Sequence, residues 1–120
     1  MNQLSNALSI HPYFKVQEGR MDDFKEIINV FIERTSTEER CLYYDFSVCG
    51  DTVFCREAYV GAEGLLAHLE NVGAQIEATS SVSEMIRLEI HGPADELAKL
   101  KEPLAALPVE FYEQIAGVKR

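Results

Sequence analysis

The sequence predicts an α+β fold in which an antiparallel sheet carries its helices on one face. Three observations predict it. Strand-like and helix-like apolar periodicities follow one another as strand, helix, strand, strand, helix, strand. A two-residue loop containing glycine joins the middle strands. Those strands carry large apolar groups on both faces, so both faces need a cover. With 120 residues, positions 1–120 are read as a single domain with one core.

The first strand runs from Leu8 to Gln17 and ends at the turn Glu18-Gly19. Pro12 cannot donate to a ladder and belongs at the strand's start or at a bulge. From Met21 to about Arg34, Phe24, Ile27, Ile28, Phe31 and Ile32 recur at helical spacing. Asp22, Asp23 and Glu26 suit that helix's positive end. Gly50-Asp51 joins strands Cys41–Cys49 and Thr52–Val60 as a hairpin. A second helix opens at Gly61-Ala62-Glu63 and runs to about Thr79, with Leu65, Leu69, Val72 and Ile76 as its stripe and His68 on the flank. Met85–His91 alternates again, with Ile86, Leu88 and Ile90 on one face. Gly92-Pro93 starts a short helix lined by Leu97, Leu100 and Leu104, and Val109–Ile115 reads as a last strand.

Two strand–helix–strand units in this order make a ferredoxin-like split βαβ fold, with the short helix and the C-terminal strand added. The helices shield one sheet face. The same face of a second copy is the simplest cover for the other, so a homodimer is expected.

Composition narrows the function classes. A net charge of −9, from 20 acidic and 11 basic residues, argues against nucleic acid and membrane surfaces as partners. No apolar run reaches about 18 residues, and MNQLSNALSIHPYF lacks the basic start and apolar run of a secretion signal. Cys41, Cys49 and Cys55 are an odd count without metal spacing, which predicts reduced thiols and a cytoplasmic setting. No phosphate loop, GxSxG elbow or HExxH is present, and His11, His68 and His91 have no metal-ligand spacing, so no metal is expected.

The stretch CLYYDFSVCGDTVFCREAYVGAEGLLAHLENV, Cys41 to Val72, resembles the antibiotic biosynthesis monooxygenase domain family. A strand with Tyr44, the hairpin, a strand with Glu57 and Tyr59, and a helix with His68-Leu69 carry the likeness. YFKVQEGRMDDFKEII resembles the family's first strand, turn and helix, and the likeness covers roughly residues 8 to 91. It implies a dimeric α/β barrel and an oxidoreductase of small aromatic, quinol- or phenol-like compounds. Such an enzyme uses molecular oxygen as co-substrate and needs no cofactor. The haem-degrading branch has Trp at the position of His68 and a His near Ala78; this chain has no Trp and no histidine there, which disfavours haem.

His68 is the candidate general base, because an imidazole beside an apolar pocket can take a proton from a phenol. The alternative is a half-buried histidine bonded to backbone. Glu57, mid-strand among apolar neighbours, needs a partner and would orient His68 or pair with Arg56 or Arg87. Tyr44 and Tyr59, with Tyr43, are candidates to donate to a ligand oxygen, and Leu65, Leu69 and Val72 would line the pocket. Arg56 or Arg87 could stabilise an anionic intermediate. Two other functions remain open: a non-catalytic binding protein for a small apolar ligand, and a proton-shuttling isomerase of a small carbonyl metabolite.

Overall fold

The structure, a computed structural model, describes residues 4–119; residues 1–3 of the N-terminal segment discussed above lie outside it. Strand β1 (Ala7–Val16) leads to helix α1 (Met21–Thr35), the hairpin of β2 (Cys41–Cys49) and β3 (Thr52–Val60), and helices α2 (Gly61–Asn71) and α3 (Gly73–Thr79). Strand β4 (Ser83–Gly92), a short helix α4 (Ala94–Ala98) and strand β5 (Glu110–Glu113) complete the order. The sheet order is β2-β3-β1-β4-β5, antiparallel throughout except for the β4–β5 pair. This is the ferredoxin-like arrangement extended by one strand. Because β5 runs parallel to β4, a crossover must join them, and α4 with the turns after it supplies that crossover. Among the described residues no helix is long and apolar enough to cross a membrane.

The hairpin register pairs Val48 with Val53 and Cys49 with Thr52 across Gly50, whose φ of 60° suits glycine. Alternation along β1 turns Leu8, Ile10, Phe14 and Val16 inward, while His11 and Tyr13 face the other way. Two apolar clusters result. One joins Leu8, Ile10 and Tyr59 to Leu65, Ile90 and the leucines Leu97, Leu100 and Leu104. The other joins Phe14, Val16 and Val53 to Phe24 and Val82. Pro12 sits between them on the same strand. It pairs with Leu88, beside a register shift at Tyr13/Phe14, while the ladder to β3 has no pair at His11 or Pro12. The proline is accommodated where the β1–β3 ladder is interrupted, one residue before the bulge and not in it. At Gly92 the strands approach so closely that a Cβ would stand 2.1 Å from Leu8 Cδ2.

Several sequence expectations change. The second helix does not run unbroken to Thr79: it divides at Val72 (φ −108°, ψ 15°), just before Gly73, a poor helix former. The bulge opposite Tyr13 and Phe14 moves Ile86 off the core face, leaving it 52% exposed. Ile32 is likewise exposed, because the buried face of α1 runs through Phe24, Phe31 and Thr35. The last strand is shorter than expected, and Ile115 lies beyond it in solvent.

Candidate functional site

The two clusters do not merge, and a cavity of about 90 Å³ lies where they meet. Ile10, Leu88 and Leu104 form its wall from one cluster, Phe14 and Phe46 from the other, and Pro12 lies between. Four wall residues carry a titratable group: Tyr44, Cys55, Glu57 and His68. Ile76, Met85, Leu88 and Leu107 line both this cavity and a solvent-facing groove, so they mark its mouth.

Each polar side chain is held by a regular element. Glu57 and Tyr59 are two apart on β3 and share its inner face, and Tyr44 on β2 lies opposite Glu57. His68 is carried by α2, whose start is anchored where the Ala62 N–H donates to Glu96 Oε1 at 2.8 Å. That carboxylate is 6% exposed, and the bond to the Ala62 N–H holds its pKa below the usual range. His68 is buried at 2% exposure, with Tyr59 tilted against its ring at 4.7 Å and Tyr44 edge-on at 5.1 Å.

The imidazole stands between two carboxylates. Its Nε2 lies 3.3 Å from Glu57 Oε1, and the same oxygen accepts a 2.5 Å hydrogen bond from the Tyr59 hydroxyl. Its Nδ1 lies 2.9 and 3.1 Å from the two oxygens of Glu38, a residue the sequence did not single out. Glu38 is fixed in turn by Asn71, whose Nδ2 donates to Glu38 Oε2 at 2.8 Å and to the Arg34 carbonyl at 3.0 Å. Arg34 Nε donates back to the Asn71 carbonyl at 2.7 Å. The ends of α1 and α2 are thereby stitched together around the acid–base group.

Burial alone pulls the His68 pKa down, but the hydrogen bonds and charges of Glu57 and Glu38 together outweigh it and hold the pKa above 6.5. Burial and then the Glu57 charge push both Tyr44 and Tyr59 far upward, so they remain neutral hydroxyls. The Cys55 thiol moves upward for the same two reasons, and Cys41 rises to about 11 through burial and Glu38. Neither is a ready thiolate. All three cysteines are free. What the site can do is move a proton in dry surroundings.

Of the expected site residues, Glu57, His68, Tyr44, Leu69 and Val72 meet at the cavity wall. Tyr59 and Leu65 are each 0% exposed and stand behind the wall, where Tyr59 touches Glu57 and packing accounts for Leu65. Glu57 pairs with neither arginine. Arg56 lies near Asp45 at 3.5 Å and over the Tyr43 ring, while Arg87 engages Glu89, Glu110 and the Tyr112 hydroxyl. Both arginines are exposed and bonded elsewhere, so neither serves the cavity. The three histidines do not converge: His11 and His91 meet at 4.6 Å on the open sheet face, away from His68. Among the described residues no group of three or more His, Cys, Asp and Glu side chains is placed to hold a metal ion.

No protein-family model matches the sequence, and no curated protein matches it. Among solved structures, MupZ from Pseudomonas fluorescens is 40% identical, with a TM-score of 0.92 over 96% of this chain and 95% of that one. This chain belongs to the MupZ family. More distant structures share the fold. A putative antibiotic biosynthesis monooxygenase from Caulobacter crescentus is 17% identical, with a TM-score of 0.64 over 72% of this chain and 88% of that one. A conserved Bacteroides thetaiotaomicron protein, named a possible oxidoreductase, is 22% identical, with a TM-score of 0.64 over 72% of this chain and 96% of that one. The fold of the MupZ family is therefore the monooxygenase-like one that the stretch Cys41–Val72 resembles.

Proposed function

We propose that this member of the MupZ family is a cofactor-independent monooxygenase that deprotonates a small phenol- or quinol-like compound and oxidises it with molecular oxygen. One observation carries the reading: a buried imidazole held between two carboxylates at the wall of an otherwise apolar cavity. The Glu57–His68 pair takes the hydroxyl proton, leaving an electron-rich anion that reduces oxygen directly. The anion and oxygen combine to a hydroperoxide, which loses water to give the quinone. Per molecule of phenol, one oxygen molecule is consumed and one water released, so no external reductant is needed. Apolar walls keep the reactive anion from water, and Tyr44, at the cavity wall, is the candidate donor to a ligand oxygen.

Oxygen uptake by the purified protein, measured across a panel of quinols and dihydroxyarenes, tests this. The expected result is uptake with at least one compound, reduced by about 10²–10⁴-fold in Glu57→Gln and His68→Gln proteins that remain folded by circular dichroism. Undiminished uptake in both variants would remove the pair from the mechanism, and no uptake with any compound would overturn the oxygenase reading. The carboxylate–imidazole arrangement favours one second reading, a proton-shuttling isomerase of a small carbonyl compound, since removing and returning a proton requires no oxidant. Turnover under nitrogen would select it. An apolar ligand that co-purifies and is returned chemically intact would instead favour a binding protein.

We further propose that the open sheet face is covered by the same face of a second copy. It carries paired aromatics, Tyr13 tilted against Phe54 at 4.7 Å and His91 stacked on Tyr112 at 4.5 Å, and leaves Tyr43 42% exposed. Sedimentation velocity at micromolar concentration is expected to give twice the 13.5 kDa chain mass; a single-chain mass would contradict the dimer.

A further inference from the structure

We propose that Glu38 is the positioning residue of the acid–base group: it claims His68 Nδ1, commits Nε2 to Glu57, and so makes Glu57 the carboxylate that exchanges the proton with substrate. The inference rests on the proposed function only for that final step. Its geometric part stands alone.

A carboxylate can only accept, so the contacts of 2.9 and 3.1 Å from His68 Nδ1 place the ring's N–H toward Glu38. Asn71 Nδ2, donating to the same Glu38 at 2.8 Å, fits an ionised acceptor and holds it in line. The second ring nitrogen faces Glu57 at the longer distance of 3.3 Å. With both carboxylates ionised it too donates an N–H, the ring is then imidazolium, and the proton given up on neutralisation is the one at Nε2. Neither nitrogen of His68 is free to meet a substrate. Glu57 differs. Tyr59 and His68 both address its Oε1, and the Cys55 thiol, a weak donor, lies against the same carboxylate. Glu57 also lines the cavity, whereas Glu38 stands outside it and lines a separate groove with Ile32, Thr35 and Cys41. The groups facing His68 are thus Glu38 after α1, Tyr44 from β2, and Glu57 with Tyr59 from β3. Only the two glutamates bond its nitrogens. A histidine gripped at Nδ1 by a carboxylate has its tautomer and ring direction set before substrate arrives, the role such a group plays in catalytic triads.

The test reads His68 itself. Nitrogen-15 NMR of the side chain, followed by pH titration, is run on the full-length protein and on Glu38→Gln, with no ligand. The wild type is expected to hold its proton on Nδ1 when neutral. In Glu38→Gln the tautomer should mix and the titration midpoint should fall by about one unit or more. Glu38→Asp, which keeps the charge, should restore part of that fall. An unchanged tautomer and midpoint in Glu38→Gln would overturn the assignment, even if that variant were less stable. With a substrate in hand, Glu38→Gln should lower kcat by at least tenfold at nearly constant KM; a change confined to KM would overturn the positioning role. If the NMR result appears while no quinol supports oxygen uptake, the oxygenase reading fails and the Glu38 assignment survives.

Discussion

Replacing His68 with alanine is expected to lower the unfolding free energy by about 3–5 kcal/mol, a large share of the roughly 5–15 kcal/mol that holds a domain of this size. The size follows from what remains. His68 is 2% exposed and Glu57 4%, and the Glu38 side chain is 11% exposed. Without the imidazole, two carboxylates are left in an apolar setting with no cation between them, and that penalty exceeds the loss of packing. Urea denaturation at neutral pH measures it. Adding Glu57→Gln to the His68→Ala protein removes one orphan charge and should recover part of the loss; a double variant less stable than the single one would argue against this cause.

The same group predicts a pH dependence. His68 has its folded pKa raised above 6.5, so its stabilising contribution is complete below that value and is lost as pH rises through the folded pKa. Wild-type stability should therefore decline on the alkaline side of about pH 6.5, and the His68→Ala protein should lack that component.

A second large effect is expected at Phe24, which is 0% exposed and packs on Phe14 at a ring-centroid distance of 5.3 Å. Phe24→Ala should cost about 3–5 kcal/mol, because it removes a full aromatic ring from the cluster with Val16, Val53 and Val82 and leaves a hole that the sheet cannot close. Unlike the His68 loss, this one should keep its size from pH 6 to pH 9, since no titratable group belongs to the cluster. A loss below about 1 kcal/mol in the same urea titration would mean that α1 repacks over the gap.

The element order was legible because each signal is local. Apolar residues recur with period 3.6 over Phe24–Phe31 and with period 2 over Tyr44–Phe46 and Val53–Tyr59, and those periods survive in the structure, whereas Val48 at the hairpin end is 56% exposed. That Pro12 would interrupt a ladder was legible for the same reason, since a missing N–H is a property of one residue, but it stands within the strand and one residue before the bulge. Ile86 was misplaced because a one-residue slip in β4 depends on its partner strand. The helix break at Val72 coincides with Asn71 turning its side chain toward Arg34 and Glu38, contacts that span more than thirty residues.

The amino-acid pattern alone determined the α+β order and the sheet with helices on one face. It singled out Glu57 and His68 as candidates while leaving Arg56 and Arg87 open as partners of Glu57, because burying a charge or an imidazole in an apolar run already implies a partner. Only the tertiary structure decided who the partners are. Glu38 lies in the polar stretch Thr35-Ser36-Thr37-Glu38-Glu39-Arg40, where nothing separates it from its solvated neighbours. It becomes part of the site only when α1 and α2 pack side by side and bring it within 2.9 Å of His68. The physical reason is range: periodicity reports which face of an element is apolar, whereas a hydrogen bond across thirty residues exists only after the chain has closed on itself.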